Sequence, residues 1–247
     1  MNISEPSKRS LILELNYNET CLATATGFIV LKNRTPYLIT NKHNFTGRNI
    51  YTGKTLCKHG GVPNKVIINH HRRNNLGKWI RKEQTILGEA YEKLWIEHPT
   101  HPNKVDVVAL KLDSKTEIDI YPYLNEEEAN IDISPAEKIS VIGFPFGITT
   151  GGKLPIWSTG FIATEFEVDH EDLPLFLIDC RSRKGQSGSA VIAYRGNNAY
   201  TEPGGNIVGF ASKNLKFLGI YSGRINAESD LGRVWKPRVI KEILNQV

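Results

Sequence analysis

The sequence contains few cysteines and no long apolar run. Only three cysteines occur among 247 residues, at positions 21, 57 and 180, and no two of them form a CxxC pair. This pattern is typical neither of a disulfide framework nor of a cysteine zinc site. Residues 1–10, MNISEPSKRS, lack the apolar stretch of a secretory signal. A membrane-spanning helix needs about 20 consecutive apolar residues, and no segment of the sequence approaches this length. We therefore expect a cytoplasmic protein without membrane contact.

Charge is moderate, because the formal net charge is +5 and charged residues make up 23% of the chain. A local basic run, HHRRNNLGKWIRK, extends from His70 to Lys82. Such a run occurs both on nucleic-acid-binding surfaces and in solvated loops. Because no nucleic-acid-binding motif accompanies it, we interpret the run as a mobile basic loop and do not expect a nucleic-acid partner.

Short apolar segments separated by Gly, Pro and Asn indicate many short strands, which are typical of barrels and sandwiches. Two of them flank Asn33-Arg34, which predicts a hairpin. We therefore expect an all-β fold. The predicted strands are TGFIVLK, TPYLIT, KVIIN, VVALKL, ISVIGF, TGFIATEF, LFLID, SAVIAY, NIVGFA and FLGIYSG.

Helical signals are few. The tail KPRVIKEILNQV places its apolar residues on one face after Pro237, which suits a first helical turn, whereas GEAYEKLW (88–95) is ambiguous. The acidic stretch 113–138 has few strand signals and is the best candidate for a connection between two β units. The predicted units are 1–120, the connection 121–138, 139–235 and a C-terminal helix 236–247.

Ser187 lies in RSRKGQSGSAVIAY, between two glycines and directly before an apolar strand. Glycines there allow a tight turn, and they also let backbone N–H groups face a reacting atom. A serine hydroxyl attacks an amide only beside a base and an orienting partner. His43 follows the strand YLIT, and Asp106 precedes the strand VVALKL. Each residue alone is also compatible with an ordinary structural role.

Together, these segments resemble the trypsin-like (chymotrypsin-fold) serine proteases over roughly residues 22–235. The histidine motif TNKH is closer to the Thr-Asn-x-His of bacterial Deg-type proteases than to digestive enzymes. The resemblance implies two antiparallel six-stranded β-barrels, with the active site between them. The similar segments are GFIVLKNRTPYLITNKH (first hairpin and histidine turn), VDVVALKL (aspartate strand), VIGFPFG (start of the second barrel), GQSGSAV (serine loop) and FLGIYSGR (substrate-pairing strand).

The resemblance also implies a role for each residue. Ser187 is the nucleophile, His43 is the general base and then the general acid, and Asp106 orients His43. The backbone N–H groups of Gly185 and Ser187 form the oxyanion hole. We therefore expect a serine endopeptidase that acts on protein or peptide substrates through an acyl-enzyme and needs neither a cofactor nor a metal.

Two departures from the family pattern concern regulation. Gln186 occupies the position where zymogen-activated relatives have an aspartate that pairs with a newly cut N-terminus, and no Ile-Val-Gly-Gly start is present. We therefore expect control by a regulatory protein partner, loop ordering or substrate access, and not by N-terminal cleavage.

The sequence defines the substrate preference less clearly than the catalytic residues. Register with the serine loop places Arg181 and Ser182 at the base of the primary specificity pocket, where no acidic residue is in register. If Arg181 or Arg224 faces that pocket, an acidic side chain before the scissile bond is favoured; otherwise both arginines form surface ion pairs. The predicted substrate-binding residues are Arg181, Ser182, Tyr221, Ser222, Gly223 and Arg224.

Three alternatives remain open. A catalytically silent protease fold could serve as a scaffold, although all three catalytic positions are intact. A basic nucleic-acid-binding module would use the run at 70–82. A metal site could combine HPTH (98–101) with Cys57 or His59, but this spacing matches no catalytic zinc motif.

Overall fold

The computed structural model describes residues 3–57, 60–113, 116–124, 129–195, 200–208, 215–226 and 228–247. Within these ranges the chain forms antiparallel strands and three short α-helices. The helices are α1 (Glu5–Arg9), α2 (Lys42–Thr46) and α3 (Pro237–Leu244). No helix of the described residues is long and apolar enough to cross a membrane.

The described N-terminal half forms one eight-stranded antiparallel sheet, in the order β5-β4-β1-β2-β3-β7-β6, with β8 paired to β4. Leu11, Leu13 and Leu15 alternate along β1 and are buried in one core cluster, as expected for side chains at every second strand position. The strands are β1 (Ser10–Tyr17), β2 (Thr20–Lys32), β3 (Thr35–Thr40), β4 (Lys65–Arg72), β5 (Trp79–Thr85), β6 (Trp95–Ile96), β7 (Val108–Lys111) and β8 (Ile118–Asp119).

The C-terminal half contains a closed barrel of six described strands, in the order β10-β11-β16-β15-β12-β9. A separate two-stranded ribbon, β13 with β14, lies between β12 and β15 in the chain. The strands are β9 (Lys138–Gly143), β10 (Ile156–Ile162), β11 (Leu175–Asp179), β12 (Ala190–Tyr194), β13 (Tyr200–Thr201), β14 (Ile207–Val208), β15 (Leu215–Arg224) and β16 (Leu231–Trp235).

The two halves share a core. Phe28 of β2, Tyr123 of the connection and Phe217 of β15 contact one another, with ring centroids 5.0 to 5.4 Å apart. The apolar face of α3 joins the same cluster. Because these contacts cross from one half to the other, they fix the strand ends of both halves against each other. The fold is therefore all-β with a C-terminal helix, as the sequence predicted.

Several segments differ from the sequence prediction. The basic run at 70–82 is not a loop, because its two ends pair in the β4–β5 hairpin and His70 and His71 are buried. The ambiguous segment GEAYEKLW forms no helix; Lys93 pairs with Leu87 in an isolated bridge, and Trp95 begins β6.

Strand bounds also differ. The strand predicted as TGFIATEF runs from Ile156 to Ile162, so it starts earlier and ends before the acidic residues. Of NIVGFA, Ile207–Val208 forms β14, and residues 209–211 lie outside the described residues. The first sheet has eight strands and not the expected six. Two of the eight, β6 and β8, have only two residues each, which is too short to leave a pattern in the sequence.

Candidate active site

His43 and Asp106 lie together where two neighbouring strands meet. Thr40 at the end of β3 pairs with Val108 at the start of β7, so the residues just beyond them are adjacent. His43 Nδ1 lies 2.6 Å from Asp106 Oδ2, and the His43 backbone N–H donates to Asp106 Oδ1 at 2.9 Å. Asp106 is 1% exposed. Its carboxylate therefore holds both the imidazole and the backbone of His43.

The short helix α2 sets the direction of His43. Gly47, in the left-handed conformation, ends the helix and donates its N–H to the His43 carbonyl at 3.0 Å. Asn41 Nδ2 donates to the Asp106 carbonyl at 2.7 Å. Lys42 forms an ion pair with Glu97 at 2.8 Å. Both flanks of His43 are thus anchored by their own contacts.

Ser222 supplies a third donor to the buried carboxylate. Its hydroxyl donates to Asp106 Oδ2 at 2.5 Å. Ser222 belongs to β15 of the barrel, whereas Asp106 precedes β7 of the first sheet, so this bond crosses between the two halves. A buried carboxylate is costly unless donors surround it, and here the His43 ring, the His43 backbone and Ser222 do so. The sequence predicted Ser222 only as a substrate-binding residue.

The loop that carries Ser187 is anchored to the histidine helix. The Ser187 carbonyl accepts a hydrogen bond from the Thr26 N–H at 3.0 Å and one from Asn44 Nδ2 at 3.3 Å. Because Asn44 directly follows His43 in α2, these bonds hold the serine loop beside the His43–Asp106 pair. Among the described residues, Ser187 Oγ makes no hydrogen bond to His43 Nε2. Such contacts are often long before substrate binds.

The peptide between Lys184 and Gly185 is held in one orientation. The Phe146 N–H donates to the Lys184 carbonyl at 2.6 Å. Because the peptide is trans, the Gly185 N–H points to the opposite side. In the described part of the chain, the N–H groups of Gly185 and Ser187 donate to no other residue. Neither N–H group is therefore satisfied by a protein acceptor within these residues.

Only glycine fits at position 185. Its φ is +94°, and a Cβ atom there would lie 2.3 Å from the Phe144 carbonyl oxygen. Its own carbonyl accepts a hydrogen bond from Thr26 Oγ1 at 2.9 Å. The residue is therefore fixed both by backbone conformation and by close neighbours.

Gln186 is fully buried, and its amide is satisfied by neutral partners. Gln186 Nε2 donates to Ser158 Oγ at 2.8 Å, and Gln186 Oε1 accepts the Arg183 N–H at 2.7 Å. These bonds join the serine loop to β10. The loop is thus supported without a charged partner.

The residues predicted at the base of the specificity pocket separate in the structure. Ser182 is fully buried, and its hydroxyl is hydrogen-bonded to the Tyr221 hydroxyl. Burial raises the pKa of Tyr221 to about 12, so this pair is neutral at physiological pH. Arg181 is exposed and is not brought to this buried pair. Gly223 and Arg224 instead line a cavity beside His43.

This cavity, termed the arginine pocket below, has a volume of about 380 Å³. Two of its residues, Tyr51 and Arg233, were not predicted from the sequence, and no motif marks them. The Arg233 guanidinium carbon lies 4.6 Å from the centre of the Tyr51 ring, and burial raises the pKa of Tyr51 to about 12. The wall consists of His43, Asp106, Leu56, Arg233 and residues 49–52 and 222–226.

The structure gives no support to a metal site at HPTH. His98 Nε2 lies 2.6 Å from Glu242 Oε2 of α3, and His98 Nδ1 accepts the His101 N–H at 3.2 Å. Both ring nitrogens are thus used in protein contacts. Within the described ranges, no three His, Cys, Asp or Glu side chains cluster as metal ligands. His59 lies outside these ranges.

Comparisons with solved structures show the same fold at low sequence identity. The active form of the Rv3671c protease from M. tuberculosis is 13% identical, with a TM-score of 0.52 over 98% of this chain and 82% of that chain. A serine endoprotease from Yersinia pestis is 12% identical, with a TM-score of 0.52 over 100% and 67% of the two chains. The HtrA-type protease AlgW, solved with a tripeptide, is 15% identical, with a TM-score of 0.52 over 99% and 63%.

No curated protein matches the chain. The family model of the trypsin-like peptidase domain matches residues 25–198, which include His43, Asp106 and Ser187. This match spans more than half of the sequence and agrees with the barrel fold. The chain therefore belongs to the trypsin-like peptidase domain family, and it is a trypsin-like serine protease.

Proposed function

We propose that the protein is an endopeptidase that cleaves protein or peptide substrates with Ser187 as its nucleophile. The observation that carries this proposal is the 2.6 Å contact between His43 Nδ1 and the buried Asp106. Because Asp106 accepts the Nδ1 proton, the Nε2 atom of His43 is left as the base. Asn44 holds the Ser187 loop against the helix that carries this base.

The reaction then proceeds in two stages. His43 takes the Ser187 hydroxyl proton as the oxygen attacks the substrate carbonyl, and the resulting imidazolium gives this proton to the leaving amine. Asp106 stabilises the imidazolium. Water, activated by His43, then hydrolyses the acyl-enzyme on Ser187. The N–H groups of Gly185 and Ser187 donate to the carbonyl oxygen as it becomes negative.

We also infer that activity does not require a cut N-terminus. In relatives activated by cleavage, a new amino group pairs with an acidic residue before the nucleophile. Here Gln186 occupies that position, and its amide already bonds Ser158 and the Arg183 backbone. Control by a regulatory partner or by loop ordering is the regulation that fits a neutral, internally supported loop.

A fluorophosphonate probe tests the proposal, since it reacts with serines activated in this way. We expect wild type and the exposed control variant Ser134→Ala to label, and Ser187→Ala and His43→Ala not to label. Circular dichroism confirms that each variant is folded. Labelling that persists in Ser187→Ala would contradict the assignment of the nucleophile.

The same experiment addresses the silent-scaffold alternative. The observation that favours it is the missing bond between Ser187 Oγ and His43 Nε2 among the described residues. A folded wild type that no fluorophosphonate labels, at any pH from 6 to 9, would support the scaffold and contradict an endopeptidase that is active without a partner. The nucleic-acid alternative has less support, because Arg81 and Lys82 of the basic run are paired with Glu14 and Glu117.

A further inference from the structure

The arginine pocket adjoins the His43–Asp106 pair. Its wall includes His43 and Asp106, and it continues along residues 222–226 at the end of β15. A peptide that pairs with this strand end, as expected for FLGIYSGR, and whose carbonyl carbon faces Ser187 would direct a side chain towards the cavity. The volume of about 380 Å³ lies in the range of small-ligand sites, so it accommodates one side chain with room for solvent.

The charge in this pocket is unbalanced. Arg224 and Arg233 both contribute to its wall, and neither forms an ion pair with an acidic side chain among the described residues. Asp106, the carboxylate in the wall, is already occupied by His43 and Ser222. Elsewhere arginines have partners, for example Arg183 with Asp230 at 3.6 Å. The wall therefore carries two guanidinium groups that no carboxylate of the described residues pairs with, beside the single negative charge of Asp106.

Arg233 is held in place before any ligand binds. Its Nη1 donates to the Arg224 carbonyl at 3.2 Å, and its guanidinium lies over the Tyr51 ring. The strand pairing of Gly223 with Arg233 leaves space above β15, because Gly223 has no side chain. A guanidinium with a fixed plane loses little conformational entropy when it binds a carboxylate.

We propose that the arginine pocket selects substrates with an aspartate or glutamate side chain on the acyl side of the scissile bond. The inference rests on the proposed function and names the substrate class of the same site. A carboxylate would accept charge-assisted hydrogen bonds from Arg233 and be attracted by Arg224. Lysine or arginine at that position would be repelled. This assigns the acidic preference to Arg233 and Arg224, and not to Arg181, which is exposed.

Fluorogenic tetrapeptides test the preference, because all four residues lie on the acyl side. Each of the four positions is varied in turn through Glu, Gln and Lys. We expect one position at which wild type has a kcat/KM about tenfold or more higher for Glu than for Gln, which is the size typical of a hydrogen-bonded charge pair. The ratio should fall towards one in Arg233→Ala and persist in Arg233→Lys. In Arg233→Glu, Lys should be preferred to Glu.

The exposed Arg72 of β4 provides a matched control. Arg72→Ala removes the same charge from a residue outside the pocket wall and should leave the Glu-to-Gln ratio unchanged. An equal loss of the ratio in Arg72→Ala and Arg233→Ala, or a wild-type ratio near one at every position, would overturn the inference.

Fluorophosphonate labelling separates this result from the proposed function, since the probe has no side chain to enter the pocket. Labelling of wild type and Arg233→Ala with no acidic preference overturns the inference alone. If wild type does not label, binding of the same Glu and Gln peptides to Ser187→Ala, measured by fluorescence anisotropy, decides the inference by itself. Tighter binding of the Glu peptide that is lost in Ser187→Ala/Arg233→Ala supports it, and equal binding overturns it.

Discussion

Gly185→Ala adds one methyl group and is expected to remove most of the activity while the fold persists. Two effects act on the new side chain. The φ of +94° places an L-residue in the left-handed region, which costs about 1–2 kcal/mol. The Cβ atom would also lie 2.3 Å from the Phe144 oxygen, whereas ordinary contacts begin at 3.4 Å. The loop must therefore shift by about 1 Å, a distance that can cost about 10²-fold in rate.

The shift would move the Gly185 N–H away from the substrate oxygen. Loss of one such donor typically lowers kcat by about 10²–10³. We therefore expect kcat on a peptide substrate to fall by about 10²–10³, and fluorophosphonate labelling to slow by a similar factor. The stability loss should lower Tm by only a few degrees, since about 1 kcal/mol corresponds to about 2–4 °C in a chain of this size.

Gly204→Ala is the matched control for backbone strain. Gly204 has a φ of +101° and nothing within 4 Å of a Cβ atom. It should show a comparable drop in Tm and a normal kcat. If Gly185→Ala is folded and keeps kcat within tenfold of wild type, the assignment of its N–H to the oxyanion hole is refuted.

Three further predictions follow from the same geometry. Asp106→Asn should lower kcat by about 10³–10⁴ with little change in KM, because an amide does not fix the same His43 tautomer. Single-turnover kinetics measures this loss, and an unchanged rate would contradict the role of Asp106 in orienting His43. Gln186→Leu leaves the Arg183 N–H without its acceptor, so it should reduce the free energy of unfolding by about 1–3 kcal/mol in urea titrations, and no loss would show that these bonds do not support the loop. Burial lowers the pKa of His70 in the folded protein to about 4. Between pH 6.5 and 4 the unfolded chain therefore binds more protons at this residue than the folded protein does. The free energy of unfolding should fall by up to about 3 kcal/mol over this range. In His70→Gln that decline should be shallower, and an identical pH profile would contradict the buried neutral state.

The sequence predicted those parts of the fold whose signals are local. Asn33 and Arg34 both have positive φ, as the tight turn between β2 and β3 requires. The apolar face of α3 is readable from its spacing, except that Val247 lies beyond the helix and is 52% exposed. The strand edges that carry His43 and Asp106 were likewise marked by the apolar runs beside them.

Features that depend on distant pairing could not be predicted from the sequence. The sequence of β5 is WIRKEQT, and its charged residues give no strand pattern. The strand forms because β4 pairs with it. Arg233 enters the arginine pocket because β15 and β16 pair in a register that sets it opposite Gly223. The Ser222 contact with Asp106 joins two residues 116 positions apart. Neither contact leaves a local pattern in composition or spacing.

The most direct test of the central claim is identification of the residue that becomes acylated. Wild-type protein is mixed with a nitrophenyl ester, quenched in acid within seconds, digested and analysed by tandem mass spectrometry. The account predicts one acyl adduct on Ser187 that is absent from His43→Ala and that declines when the quench is delayed until the ester is consumed. An adduct on another residue such as Cys57, or an adduct on Ser187 that forms equally fast in His43→Ala, would contradict it.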